Sequence, residues 1–338
     1  MATVITNLLS AIPVFGKDLV ELNFVTKFIE ASCFLHSCMQ HMQLPVLATI
    51  GTVSLQAKNR SNRLRVCRSY EQQRRQKEDL ALSLPYPFIA FLVGLIDGDG
   101  YIQISKTTKC YISIKLVICL SLKDLSSLEY IYSVINLGKI SIDRDRIHPT
   151  CKLIINKTDL QEIIFPLLNH HNMFFLTDRR KSQFELAMFI LKNDIKYYND
   201  ISQYTTEYLL PTNSKISYTP EDYLNLTFFK NWLVGFTNAE GSFCIKKNND
   251  ACFQLKQRIH VHLFEAFKLL FKTNRNISIE KDKYLQFSVS SKTDIQTVID
   301  FFSFSGLHPL IGLKYIQYLK WITSLQNSYR YKNLKFPS

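Results

Sequence analysis

Two acidic residues, Asp99 and Glu240, each close a near copy of the same segment, and each is followed by glycine. The first copy reads Phe91-Leu92-Val93-Gly94-Leu95-Ile96-Asp97-Gly98-Asp99-Gly100; the second reads Trp232-Leu233-Val234-Gly235-Phe236-Thr237-Asn238-Ala239-Glu240-Gly241. With Leu92 set on Leu233 they share Leu, Val, Gly and the final acid–Gly pair, 141 positions apart. Each acid ends an apolar helical run, where the helix dipole disfavours negative charge. A single copy reads equally well as an ordinary buried helix stop. Two copies imply a duplicated domain whose carboxylates meet at a pseudo-two-fold axis. A divalent cation between them would relieve their repulsion and supply the reason for an acid placed there twice.

The spacing inside each copy says how such helices meet. Gly94 and Gly98 are four apart, as are Gly235 and Ala239, so each helix carries a strip of small residues on one face. Two strips of this kind let backbones approach until they nearly touch. The runs are too short for a bilayer: Phe88 to Ile96 is nine residues, and Lys230 interrupts the second. Close packing in a core is expected, and no membrane span.

Both segments resemble the LAGLIDADG motif of homing endonucleases and intron maturases, in the single-chain, two-repeat form. The resemblance covers roughly residues 86 to 330. It implies that Asp99 and Glu240 are the metal-binding catalytic acids, aided by the backbone carbonyls of Gly98 and Ala239, with Mg²⁺ or Mn²⁺ as the ion. The run Pro309-Leu310-Ile311-Gly312-Leu313-Lys314, followed by Tyr318 and Trp321, is similar to the family's C-terminal helix and makes Lys314 the pocket lysine of the second half. In the first half, Leu176-Thr177-Asp178-Arg179 puts Arg179 where the family usually has lysine; arginine keeps the charge but cannot shuttle a proton. Gln257 matches the pocket glutamine, with Leu120 at the equivalent place in the first half. The second motif departs from the family at Thr237-Asn238, where an apolar residue and an acid are usual. Such departures leave open halves of unequal rate, or a protein that binds without cleaving.

The bulk composition agrees with a polyanion partner. The chain has 338 residues, 46% hydrophobic and 13% aromatic, enough for one large or two smaller cores, and a net charge of +13. Its eight cysteines contain no C-x-x-C pair, so neither a zinc site nor a disulfide framework is signalled. Cys33 with Cys38, or His260 with His262, lack complementary ligands and read as buried thiols and surface histidines.

Residues 1–84 stand outside the repeats as an N-terminal extension. Within it, residues 2–20 resemble mitochondrial cytochrome b, which implies an intron reading frame fused to an upstream exon. A basic run follows over residues 58–78: Lys58, Arg60, Arg63, Arg65, Arg68, Arg74, Arg75 and Lys77. It reads as a phosphate-gripping linker or simply a solvated one. The first repeat is expected over 85–192, a linker over 193–226 and the second repeat over 227–330. After Gly100 the hydrophobic period changes from helical to alternating. Strands are expected at 101–107, 110–120, 139–144 and 152–156, and helices at 123–135, 159–170 and 178–191. The second half repeats the order, with strands at 242–247, 251–257, 277–281 and 284–290 and helices at 261–271, 292–304 and 314–326. The fold class is therefore α+β: two pseudo-symmetric α-β-β-α-β-β-α repeats, each with a four-stranded antiparallel sheet, around paired central helices. The resemblance adds that the two sheets form a saddle lying along DNA.

Strand parity selects the groove face. Tyr101, Gln103, Ser105, Ser113 and Lys115 lie opposite the apolar residues in the first half, and Ser242, Cys244, Lys246, Gln254 and Lys256 in the second. The charged hairpins 143–146 and 280–283 add Arg144, Arg146, Lys281 and Lys283 at matching places. A two-stranded ribbon fits the major groove, where Gln and Arg read base edges; the bland alternative is the polar face of any half-exposed sheet. The expected function is a metal-dependent, site-specific double-strand break in the intronless cytochrome b allele. A maturase that stabilises its group I intron RNA is the alternative, and an inert passenger fused to exon sequence a third. Expected partners are duplex DNA at the exon junction and the intron RNA, for a monomer made in the mitochondrial matrix.

Overall fold

Pro85 precedes the first core helix, α1 (Tyr86–Asp99), and Pro87 sits in its opening turn, where no intrahelical donor is lost. Every residue from Phe88 to Asp97 is buried, so α1 is a core helix rather than an amphipathic one. It stops at Gly100, whose extended backbone (φ −94°, ψ 170°) turns straight into a strand. The computed structural model describes residues 83–145, 147–201 and 218–337, together with 71, 72, 74, 75 and 79. The cytochrome b-like residues 2–20, Cys33, Cys38, Arg146, most of the basic run and the middle of the expected linker lie outside the described residues.

The first repeat continues through β1 (Gly100–Lys106), β2 (Ile112–Ser121), α2 (Leu125–Ile135), β3 (Lys139–Asp143), β4 (Thr150–Asn156), α3 (Phe165–His170) and α4 (Asp178–Lys192). A short helix, α5 (Pro220–Asn225), with a Thr219–Asp222 capping box, leads into the second repeat. That repeat comprises α6 (Phe229–Glu240), β5 (Gly241–Ile245), β6 (Ala251–Arg258), α7 (Val261–Leu270), β7 (Ser278–Glu280), β8 (Tyr284–Val289), α8 (Lys292–Ser303) and α9 (Gly312–Gln326). The two sheets have the same antiparallel order, β1-β2-β4-β3 and β5-β6-β8-β7. The α+β architecture read from the pattern is thus the one observed, within one compact unit, Ser69–Ser338.

The two cores use different chemistry for the same job. The first sheet buries Ile102, Ile112, Ile114, Leu116 and Ile118, whereas the second half is aromatic, with Trp232, Phe253, Phe264, Phe267, Phe271 and Phe287 fully buried. Local departures from the expected elements have local causes. Strand β2 begins at Ile112 because Cys110 is left-handed (φ 62°). The helix expected at 159–170 is split: a turn at Lys157–Asp159 passes through a π segment, Leu160–Ile164, into α3 beside Pro166, which has no N–H to continue the ladder. Strand β5 ends at Ile245, before Lys246. Among the described residues no helix is long and apolar enough to cross a membrane.

Candidate active site

The central helices touch backbone to backbone. A Cβ on Gly94 would lie 1.9 Å from the Trp232 carbonyl oxygen, and one on Gly235 would lie 1.9 Å from the Phe91 carbonyl oxygen. Phe91 and Trp232 are themselves equivalent positions of the two motifs, so each glycine receives the other helix's matching carbonyl. One turn further, a Cβ on Gly98 would meet the Ala239 Cβ at 2.3 Å and the Glu240 Cγ at 3.2 Å. The small residues therefore bring the two helix ends together, and Asp99 and Glu240 flank that contact.

Both carboxylates are perturbed by this placement. Burial raises Asp99 to about 6, with Lys314 and Arg180 opposing the rise and Asp124 adding to it. Burial and the Asp99 charge raise Glu240 to about 7, against the Gln257 hydrogen bond and the charges of Lys314 and Arg180. Gln257 Nε2 donates to Glu240 Oε1 at 2.8 Å. Lys314 donates to the Gly241 carbonyl oxygen, and burial lowers its ammonium pKa. Among the described residues no group of three or more His, Cys, Asp or Glu side chains is gathered as a metal cluster. The site is a carboxylate pair.

The cation that the first half brings to this centre is Arg180, not the expected Arg179. Arg179 is exposed, whereas Arg180 is 9% exposed and donates through Nε to the Ile96 carbonyl oxygen at 3.1 Å. An ungapped match of 176–180 to 310–314 would have found it, since that match sets Arg180 on Lys314. Leu120, 8% exposed, is one residue from the end of β2, as Gln257 is from the end of β6.

The residue two before each motif acid does structural work. Asp97, 2% exposed, accepts from Leu176 N (2.8 Å), Thr177 N (3.1 Å), Thr177 Oγ1 (2.5 Å) and Trp232 Nε1 (2.7 Å). It ties the start of α4 to α1 and reaches across to α6. Asn238 fills the matching place in the second half, where its Oδ1 accepts from Ile311 N at 2.9 Å, just before α9. The departure from the family pattern at Asn238 therefore keeps the tether without the charge.

Asp124 was not visible as a site residue from sequence. Its Oδ1 accepts from Ser127 Oγ (2.7 Å) and from Leu313 N (2.9 Å), so a residue of the first repeat holds the first turn of the second repeat's last helix. Asp99, Asp124, Asn238, Lys314, Gln317 and the end of β2 line a cavity of about 420 Å³. His260 and Asp178 approach to 3.6 Å at the other such junction, between the second repeat and the start of α4.

The expected groove residues share the faces away from the core. In register, Tyr101, Gln103 and Ser105 of β1 lie beside Val117, Lys115 and Ser113 of β2. Ser242 and Cys244 pair with Gln254 and Cys252. The pairing adds Ser141 and Lys152 to the first face and Gln286 and Ser288 to the second, residues the sequence reading passed over. Arg144, Lys281 and Lys283 are exposed on the hairpins, and Lys281 and Asp282 are both left-handed (φ 51° and 50°). Lys246 lies just past β5 in the turn, and Lys256 is already paired with Glu280 of the neighbouring hairpin.

Known proteins resemble this chain in sequence and in fold. A family model described as LAGLIDADG endonuclease matches residues 92–185 and again 233–325. The protein named "Probable intron-encoded endonuclease aI3" from Dictyostelium discoideum is 25% identical over 66% of this chain and 91% of its own length. Its namesake from Dictyostelium citrinum is 26% identical over 66% and 89%. Among solved structures, I-SmaMI bound to an uncleaved DNA target with calcium ions superposes at a TM-score of 0.54, with 19% identity over 71% of this chain and 91% of that one. The meganuclease I-CpaMI bound to uncleaved DNA gives 0.53, with 20% identity over 72% and 94%. With both repeats matched and both motif acids in place at the paired helix ends, the chain belongs to the LAGLIDADG endonuclease family.

Proposed function

We propose that this protein is an intron-encoded, site-specific DNA endonuclease that breaks both strands of the intronless cytochrome b allele. The observation that carries the reading is the meeting of Asp99 and Glu240 at abutting helix ends, each raised by burial, beside Lys314, Arg180 and Gln257. The donors fit a hard divalent cation: two carboxylates and the carbonyls of Gly98 and Ala239 offer oxygen only, and the buried pair carries charge that a cation would balance. Bound Mg²⁺ or Mn²⁺ supplies an acidified water and charge relief at the phosphate. Asp99 and Glu240 each serve one strand, and Gln257 orients Glu240. Lys314, with its pKa lowered, can take or give a proton, while Arg180 can only hold charge. Both acids reside in one chain, so a monomer suffices.

The DNA carried by the I-SmaMI and I-CpaMI structures supports a duplex lying along the faces that hold Gln103, Lys115, Gln254 and Lys256. The intron-encoded relatives and the cytochrome b-like residues 2–20 support an exon-fused reading frame translated in the mitochondrial matrix. The domain organisation that follows is an extension over 1–84, repeats over 85–192 and 227–330, and a linker over 193–226. A maturase acting on the group I intron RNA is the second reading. It is favoured by the first half, where Arg180 and Leu120 leave no proton shuttle and no amide.

The test is cleavage by the full chain of a duplex spanning the intronless exon junction in Mg²⁺, beside an Asp99→Asn/Glu240→Gln variant. A cut that needs the acids is expected. Binding of the intron RNA without any cut would replace the endonuclease by the maturase.

A further inference from the structure

The chain that leaves α4 does not go directly to the linker. It first returns to its own sheet: Ile112 N donates to Lys196 O and Tyr198 N to Cys110 O, both at 2.9 Å, and Tyr111 pairs with Tyr197 in an antiparallel bridge. Strand β4 stops pairing at Asn156 opposite Lys115, so residues 196–198 take over that side of β2 where β4 ends. Bridge partners point to the same face of a sheet, and Tyr111 has the parity of Ser113 and Lys115. The Tyr111 and Tyr197 rings stack at 5.1 Å with an interplanar angle of 21°, yet are 45% and 48% exposed.

The second repeat shows what a purely structural tyrosine does here. Tyr331, which follows α9 much as Tyr197 follows α4, is 0% exposed and accepts from Ala251 N and donates to Ser290 O, both at 3.1 Å. In the first half the chain instead returns through backbone bonds and leaves its ring in solvent, against a second ring. Lys106, Lys109 and Lys196 are exposed around the pair; Lys196 faces Asp194 at 3.1 Å, and Lys106 donates to Asn199 Oδ1 at 3.3 Å. An exposed aromatic pair among lysines, continuous with a polar sheet face, has the composition of a sugar–phosphate contact.

We infer that Tyr111 and Tyr197 form a duplex-DNA contact at the outer end of the first half's groove, so that the linker is part of the nucleic-acid surface. The inference rests on the proposed binding of DNA along the sheets. Tyr111 immediately precedes β2 and is seven residues from Ile118, the partner of Gly100 beside the acids. At strand rise that is about 23 Å from the centre, or about 7 base pairs of duplex. The pair would position the flank of the duplex rather than read it.

The experiment places the photo-crosslinking residue p-benzoylphenylalanine at Tyr197 in the full chain. The probe is a mixed-sequence 40-base-pair duplex at low salt without divalent cation. The same residue at Lys115 marks the groove, and at Tyr132, exposed on α2, an outer surface. Crosslinking from positions 197 and 115 but not 132 is expected, and Tyr111→Ala/Tyr197→Ala should weaken binding about 5-fold with melting temperature unchanged. Crosslinking from 115 but not 197 overturns the inference and spares the groove. No crosslinking from 115 removes the DNA reading beneath it.

Discussion

Gly94 and Gly235 each accept the other helix's backbone in the space where a side chain would begin. The approach of Trp232 O to one and Phe91 O to the other, both 1.9 Å from an ideal Cβ, fixes the distance between α1 and α6. That distance in turn sets how closely Asp99 and Glu240 face each other. Either Gly→Ala substitution forces two main chains apart, and main chain cannot rotate away as a side chain can. We expect Gly94→Ala and Gly235→Ala each to cost more than ~3 kcal/mol, beyond the usual range for an added methyl. Thermal melting and soluble yield measure it; a loss under ~1 kcal/mol would show that the helices can slide.

The metal-free protein should lose stability as pH rises. Asp97 and Asp99 are raised from 3.8 to about 6, and Glu240 from 4.5 to about 7, in each case chiefly by burial. A raised carboxyl pKa means that the folded state holds the proton more tightly than the unfolded one. The stability is full below about pH 4 and is lost as pH climbs through 6 to 7. For Asp99 and Glu240, after discounting for partial solvent access, the loss is on the order of 1–2 kcal/mol each. Melting at pH 5 and 7.5 should show it, and millimolar Mg²⁺ should restore much of it at pH 7.5 in the wild type but not in Asp99→Asn/Glu240→Gln. A melting temperature that rises with pH in the absence of metal would contradict this account.

Thr237 offers a stabilising substitution. Its side chain is fully buried in α6 and its Oγ1 has no hydrogen-bond partner, whereas the matching residue of α1 is Ile96. Thr237→Val keeps the shape and removes the unpaired hydroxyl. Stability should rise by about 1 kcal/mol, read as a higher urea midpoint with an unchanged slope; a fall would mean that the hydroxyl finds a partner.

The two halves should cut at different rates. Lys314 and Gln257 stand beside Glu240 on one side, and Arg180 and Leu120 stand at the matching places of the other, so on the proposed function only one half has a proton-transfer group. Loss of a proton-transfer group costs roughly 10²–10⁴-fold. A supercoiled plasmid carrying the exon junction should therefore pass through a nicked form before it is linearised. Arg180→Lys should shorten the lifetime of that form, and Lys314→Ala should delay the first nick by at least ~100-fold. Direct conversion to linear DNA with no nicked intermediate would refute the asymmetry.

The duplicated motif, the element order and the two motif acids at the helix ends are legible in the sequence because each is a local property. Periods of 2 and 3.6 residues, a helix stop and an acid–glycine pair involve neighbours only. The strand faces carrying Gln103, Lys115 and Gln254 followed from parity alone and agree with the observed register. What the tertiary structure decided involves residues far apart in the chain. Arg179 and Arg180 differ by only about 100° around α4, and the packing of that helix against β1 turns Arg180 toward Ile96 and leaves Arg179 in solvent. Asp124 reaches the site only because its repeat meets the start of α9, 189 residues away. Tyr197 joins the sheet face through two backbone bonds that no side-chain pattern records. Such contacts depend on how whole elements dock, which is fixed by shape and burial across the repeat interface rather than by any stretch of sequence.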